Sequence, residues 1–95
     1  MSTIYIVRGQ TGIYDDHYEW NVMAFTDKQQ AQFRVSILHT ILKEHNALYE
    51  NGIDCAAYND KDVKALLESE IKNFDPHFSL DYTGTEYQIE ELELV

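Results

Sequence analysis

Residues 5–25 read YIVRGQTGIYDDHYEWNVMAF, and the division of this stretch into strand and loop decides the fold. Residues 4–7 are β-branched or aromatic on both faces, Ile4 and Ile6 on one and Tyr5 and Val7 on the other, which predicts a central strand. Residues 18–25 put Tyr18, Trp20, Val22 and Ala24 on one face and Glu19, Asn21, Met23 and Phe25 on the other, a second strand expected antiparallel to the first. Between them lie two glycines, two adjacent aspartates and a histidine. A phosphate-cradling loop needs a lysine and a following helix, and Gly9-Gln10-Thr11-Gly12 offers neither. A two-glycine clamp for RNA works on a basic surface, and this loop is acidic. Asp15, Asp16 and His17 are adjacent, so in an extended chain their side chains diverge, and the spaced acids of a calcium loop are missing. The remaining readings are a hairpin loop whose glycines absorb unusual dihedrals, and a partner-contact loop with Tyr14 as an amphipathic anchor beside two carboxylates.

Downstream, Thr26 with Gln29 three residues later matches a capping box, and Asp27 suits the positive end of a helix dipole. Apolar residues then recur at Ala31, Val35, Leu38, Ile41, Leu42, Leu48 and Tyr49, widened by Phe33 and Ile37, which predicts a helix over 27–50 closed by Asn51-Gly52. Residues 53–58 read as a connector. Asn59 or Asp60 caps a second helix reaching 73 or 74, with Val63, Leu66, Leu67, Ile71 and Phe74 on one face and Asp75-Pro76 as its stop. Residues 77–95 alternate around Thr83-Gly84 as a hairpin, with Phe78, Leu80 and Tyr82 sharing a face. Tyr87 and Ile89 keep one parity and Leu92 and Leu94 the other, so a β-bulge or a strand end is expected at Glu90-Glu91. The order β-β-α-α-β-β predicts a single α+β domain over residues 1–95, with an antiparallel sheet of about four strands and two helices packed on one face.

Net charge narrows the function. Seventeen acids against seven Lys/Arg leave −10. Such a surface repels a polyanion, so direct nucleic-acid binding is disfavoured and basic partners are favoured. From Asp75 onward there are six acids and no Lys or Arg, which makes the final hairpin an acidic patch. The lone Cys55 cannot form an internal disulfide, no apolar run approaches a membrane span, and the chain opens without a basic-then-apolar leader. A soluble, cytoplasmic protein is expected.

Candidate chemistry is sparse. His39 and His45 are six residues apart on the predicted helix, out of line for a shared ligand, and His45 reads as a core-edge histidine. His77 reads as solvent-facing and Cys55 as a small buried residue. No nucleophile, cofactor loop or ligand cluster singles out one carboxylate pair, so no catalytic residue, metal or cofactor is predicted. Carboxylates two apart on a strand face are about 6.6–6.8 Å apart, a phosphate-like spacing that Glu91 with Glu93, or Glu86 with Asp81 across the hairpin, would offer to a basic channel.

The opening YIVRGQTGIYDDHYEWNVMAF resembles the start of small uncharacterised phage and prophage proteins, in which a first strand is followed by a Thr-Gly turn, a Tyr with acids, a Glu-Trp strand and a helix. The closing TEYQIEELEL is similar as well. The resemblance implies a mobile-element origin, where small acidic proteins act as inhibitors of host defence, of anti-CRISPR and anti-restriction type. The expectation is therefore a non-enzymatic binding protein that occupies a basic site on a host or defence protein, such as a nucleic-acid-binding complex, as a nucleic-acid mimic. Tyr14, Asp15, Asp16, Glu19, Asp81, Glu86, Glu90, Glu91 and Glu93 form its contact surface, with Tyr58 as a further anchor. The alternatives are a structural or regulatory homodimer built on Phe33, Ile37 and Ile41, and a small metal- or ligand-dependent enzyme.

Overall fold

The computed structural model describes residues 2–12, 17–47, 56–81 and 83–94. Three strands, β1 (Ser2–Thr11), β2 (Tyr18–Phe25) and β3 (Thr85–Leu94), form an antiparallel sheet in the order β2-β1-β3, and the helices are α1 (Lys28–Glu44), the single turn α2 (Ala56–Asn59) and α3 (Lys61–Ile71). β1 is the central strand that its two-faced apolar pattern predicts, but it runs on through Thr11. Gly9 is therefore a strand residue rather than part of a loop. A side-chain carbon there would lie 2.5 Å from Trp20 Cζ2 and 2.7 Å from Nε1, so the indole takes the space that any other residue would fill. The β1–β2 register shifts between Val7 and Arg8, where Met23 and Asn21 are the partners and Val22 is the extra residue of a bulge.

Alternation then assigns the faces. Tyr5, Val7, Gly9 and Thr11 share one face with Trp20, Phe25, Tyr87 and Ile89, and α1 lies against it. The core joins Val7, Trp20 and Tyr87 to Ala31, Leu38, Ile41 and Leu42 of α1, Leu67 and Ile71 of α3, and Ala47, Ala57 and Phe78. Leu38, Leu42, Leu67 and Ile71 are fully buried, each contributing roughly 1.5–3 kcal/mol of transfer free energy.

Four expectations are corrected. Among the described residues the sheet has three strands, because residues 78–81 form no ladder with β3. Asp75 draws the chain into the core, Pro76 lacks a donor, and the outward N–H groups of Thr85 and Tyr87 are already taken by the Ala47 carbonyl (2.9 Å) and His39 Nε2 (3.0 Å). Gly84, at φ 85°, does close a turn onto Asp81, and the turn docks on β1 through Thr11. Next, α1 ends at Glu44. Asn46 adopts φ 53°, its N–H bonds to Lys43 O, and the Ala47 N–H bonds to Leu42 O, a Schellman closure with asparagine as the left-handed residue. The cap at the other end is Asp27, whose carboxylate accepts from Gln29 N at 2.9 Å, rather than Thr26. Finally, no bulge occurs at Glu90-Glu91, since β3 pairs with β1 without interruption from Thr85 to Leu94. The change of parity marks where the helix layer stops and Leu92 joins Ile4 on the other face. Asp60 caps α3, as one of the two expected residues, accepting from Asp62 and Val63 N–H groups. Tyr49, Cys55 and the Asn51-Gly52 signal lie outside the described residues.

Candidate functional site

The sheet face opposite the helices is covered by no element among the described residues. Register places Ile4, Ile6, Arg8 and Gln10 of β1, Glu19 and Ala24 of β2, and Glu86, Gln88, Glu90 and Leu92 of β3 on it. One end is apolar: Ile4 and Ile6 are half-buried, Ala24 is exposed, and Leu92 is 45% exposed. The other end is acidic around a single cation. Arg8 donates from Nη1 to Glu90 Oε2 at 2.9 Å and from Nη2 to Glu19 Oε2 at 3.4 Å, and His17 Nε2 lies 3.4 Å from Glu19 Oε1. The central strand aims Arg8 between the two neighbouring strands, so its fork is shared by carboxylates from both sides. Its Nε is buried without a partner among the described residues. Glu86, across from Gln10, adds a third carboxylate, which leaves this end net negative.

The predicted contact residues divide between surfaces. Glu19, Glu86 and Glu90 meet on the open face. Glu91 and Glu93 share the helix side of the sheet and are exposed there, Glu91 lying 3.6 Å from Lys28 Nζ at the start of α1. Asp81 serves its own turn, accepting from Thr83 N at 3.2 Å, so the expected Glu86–Asp81 row across a hairpin is not formed. Tyr14, Asp15 and Asp16 lie outside the described residues. Tyr58 is 44% exposed on α2, with Lys64 Nζ 5.5 Å from its ring centre.

Two arrangements were not read from the sequence. Asp75, counted there as part of an acidic surface, is fully buried and accepts from Trp20 Nε1 (2.8 Å), Tyr87 Oη (2.6 Å) and the His77 N–H (3.1 Å). Burial, then the hydrogen bond to Asp75, push the Tyr87 phenol above its ordinary range. A helix-stopping Asp-Pro beside a core that holds the sole tryptophan was the available signal. The second is His39, whose Nε2 accepts the Tyr87 N–H at the sheet edge. Burial lowers its pKa below 6.5, against the opposing pull of Glu86.

Glu44, His45 and Glu70 bring an imidazole and two carboxylates within 4.8 Å of one another, a donor set that suits a divalent cation. His45 is at the core edge, as expected, and its Nε2 stands 3.0 Å from Glu70 Oε2, tying the end of α1 to α3. On the other flank of α1, a groove of about 530 Å³ runs between Phe25, Phe33, Ile37 and Phe74, with Arg34 5.4 Å from the Phe74 ring centre. Phe33 is 68% exposed there, whereas Ile41 is buried in the core and leaves the flank expected for a dimer. Together these features define a small α+β domain with a half-covered antiparallel sheet. Comparison with protein-family models, with curated proteins and with solved structures finds no match to the chain.

Proposed function

We propose that this protein is a non-enzymatic binding module whose open sheet face meets a basic partner protein. The observation that carries the reading is that face itself. It sets Ile4, Ile6, Ala24 and Leu92 beside Glu19, Glu86 and Glu90, with Arg8 as the sole cation among its described strand positions. An exposed apolar patch rimmed by charge of one sign suits protein association, the apolar part supplying affinity and the acids on-rate and selectivity. The resemblance of the two end segments to phage proteins directs the choice of partner toward a basic, nucleic-acid-binding host or defence protein, on which the carboxylates stand in for phosphates.

The test is affinity capture from host lysate at low and moderate salt, with and without competing DNA. Wild type is compared with a Glu86→Lys/Glu90→Lys variant and with Leu92→Ser. Capture of one nucleic-acid-binding protein, displaced by DNA and lost in both variants, is the expected result. Equal capture by wild type and the charge-reversed variant removes the open face from the function. The second reading, a homodimer, is favoured by the exposed Phe33 over its apolar groove. Concentration-dependent mass in light scattering, abolished by Phe33→Ser, would replace the first reading with it.

A further inference from the structure

The outer edge of β3 is occupied over its first half and open over its second. Thr85 and Tyr87 direct their N–H groups away from β1, onto the Ala47 carbonyl and His39 Nε2. Alternate strand residues direct their backbone groups to the same side, so Ile89, Glu91 and Glu93 also present theirs outward, and no described residue pairs with them. Five residues in unbroken register are the usual length of a strand pairing. The opposite edge, β2, is interrupted by the bulge at Val22, which spoils a continuous ladder there.

The side chains select what can pair. Glu90 lies on the open face with Leu92, and Glu91 and Glu93 lie on the other, all four exposed. Like charges directly opposite across a strand pair are destabilising and opposite charges are favourable. A second copy laid along this edge would bring its own glutamates against these. An acidic strand is rejected in the same way, whereas a segment carrying Lys or Arg on both faces gains on each.

We propose that an extended, basic segment of the partner protein adds to β3 at residues 89–93 as a fourth strand, continuous with the open face. This rests on the reading above that the partner is basic, and it specifies how the contact is made: backbone hydrogen bonds supply affinity, and the glutamates choose the sequence.

The probe is a terminally blocked heptapeptide, Lys-Lys-Val-Lys-Val-Lys-Lys, which as a strand carries Lys on both faces, set against a twin of the same sequence with alternate amides N-methylated. The twin keeps the charge and loses the ladder. Binding is followed by amide chemical shifts and hydrogen exchange. The unmodified peptide is expected to bind at least about tenfold more tightly and to protect the amides of Glu91 and Glu93. Glu91→Pro, which deletes one outward donor and leaves the β1 pairing intact, should abolish the difference between the peptides. Glu91→Gln should weaken both by the same factor. Thermal melts check folding, and Glu93→Pro replaces Glu91→Pro if the latter does not fold. Equal binding of the two peptides, or binding by neither, overturns strand addition, and the capture experiment above judges the basic-partner reading separately. Dimerisation abolished by Glu91→Pro would make a second copy the occupant and would also overturn it.

Discussion

Asp75 shows how far one residue can be from its apparent role. Read by charge it belongs to a surface; in the fold it accepts hydrogen bonds from Trp20 and Tyr87 inside the core. Asp75→Ala strands two buried donors and should cost roughly 2–5 kcal/mol, measured by urea unfolding, far more than a surface aspartate would. Gly9→Ala should cost about 1–3 kcal/mol, because the added methyl meets the Trp20 ring and the indole cannot retreat without leaving Asp75. His39 sets a pH dependence. Its folded pKa is depressed, so its contribution is fully present above its unfolded value of 6.5 and is lost as pH falls below it. Unfolding midpoints should therefore drop between pH 7.5 and 5.5, with a shallower slope in His39→Leu.

At the level of elements, local signals were strong wherever the chain carries its own answer. β1 and β2 pair antiparallel as expected, but the bulge at Val22 turns Phe25 to the face of Trp20 and Ala24 to the face of Glu19, against strict alternation. The apolar stripe of α1 faces the core, that of α3 does so except for the exposed Leu66, and an aspartate caps each of these two helices. α1 ends at Glu44, short of the Asn51-Gly52 signal, because Asn46 takes a left-handed conformation that closes it. Asn46→Val should cost about 1–2 kcal/mol in thermal unfolding, since a β-branched residue resists that conformation, and Asn46→Gly should cost less because glycine adopts it without strain. The same closure points the Ala47 carbonyl at Thr85, so the early end of α1 and the lack of a fourth strand among the described residues share one cause. The apparent slip at Glu90-Glu91 was a pattern of coverage, since a strand that outruns its helix layer changes its apolar face without changing register.

At the scale of the whole molecule, a net charge of −10 is spread over a body of 46 × 28 × 20 Å. The Debye length is about 30 Å at 0.01 M salt and about 8 Å at 0.15 M, so at low salt charges across the molecule repel one another and at physiological salt they do not. The unfolding midpoint should rise over that range despite the screening of the Arg8 ion pairs, and differential scanning calorimetry at the two salts checks it. Partner association should respond oppositely, its on-rate falling as salt rises.

What the sequence by itself determined is what depends on near neighbours and on totals: the antiparallel sense of β1 and β2, the helix stripes, the Asp60 cap, the Thr83-Gly84 turn and the acidic excess. Of the contact surface expected from it, Glu19, Glu86 and Glu90 are gathered on one face, Glu91 and Glu93 lie on the other, and Asp81 is spent on its turn. Tertiary structure decided which sheet face stays open, which edge of β3 is filled and which acid is buried. The last two depend on groups far away in the chain meeting a hydrogen-bond requirement: Ala47 for Thr85, His39 for Tyr87, and Asp75 for Trp20. No local pattern encodes such pairings, because their free energy appears only once the intervening chain has brought the partners together.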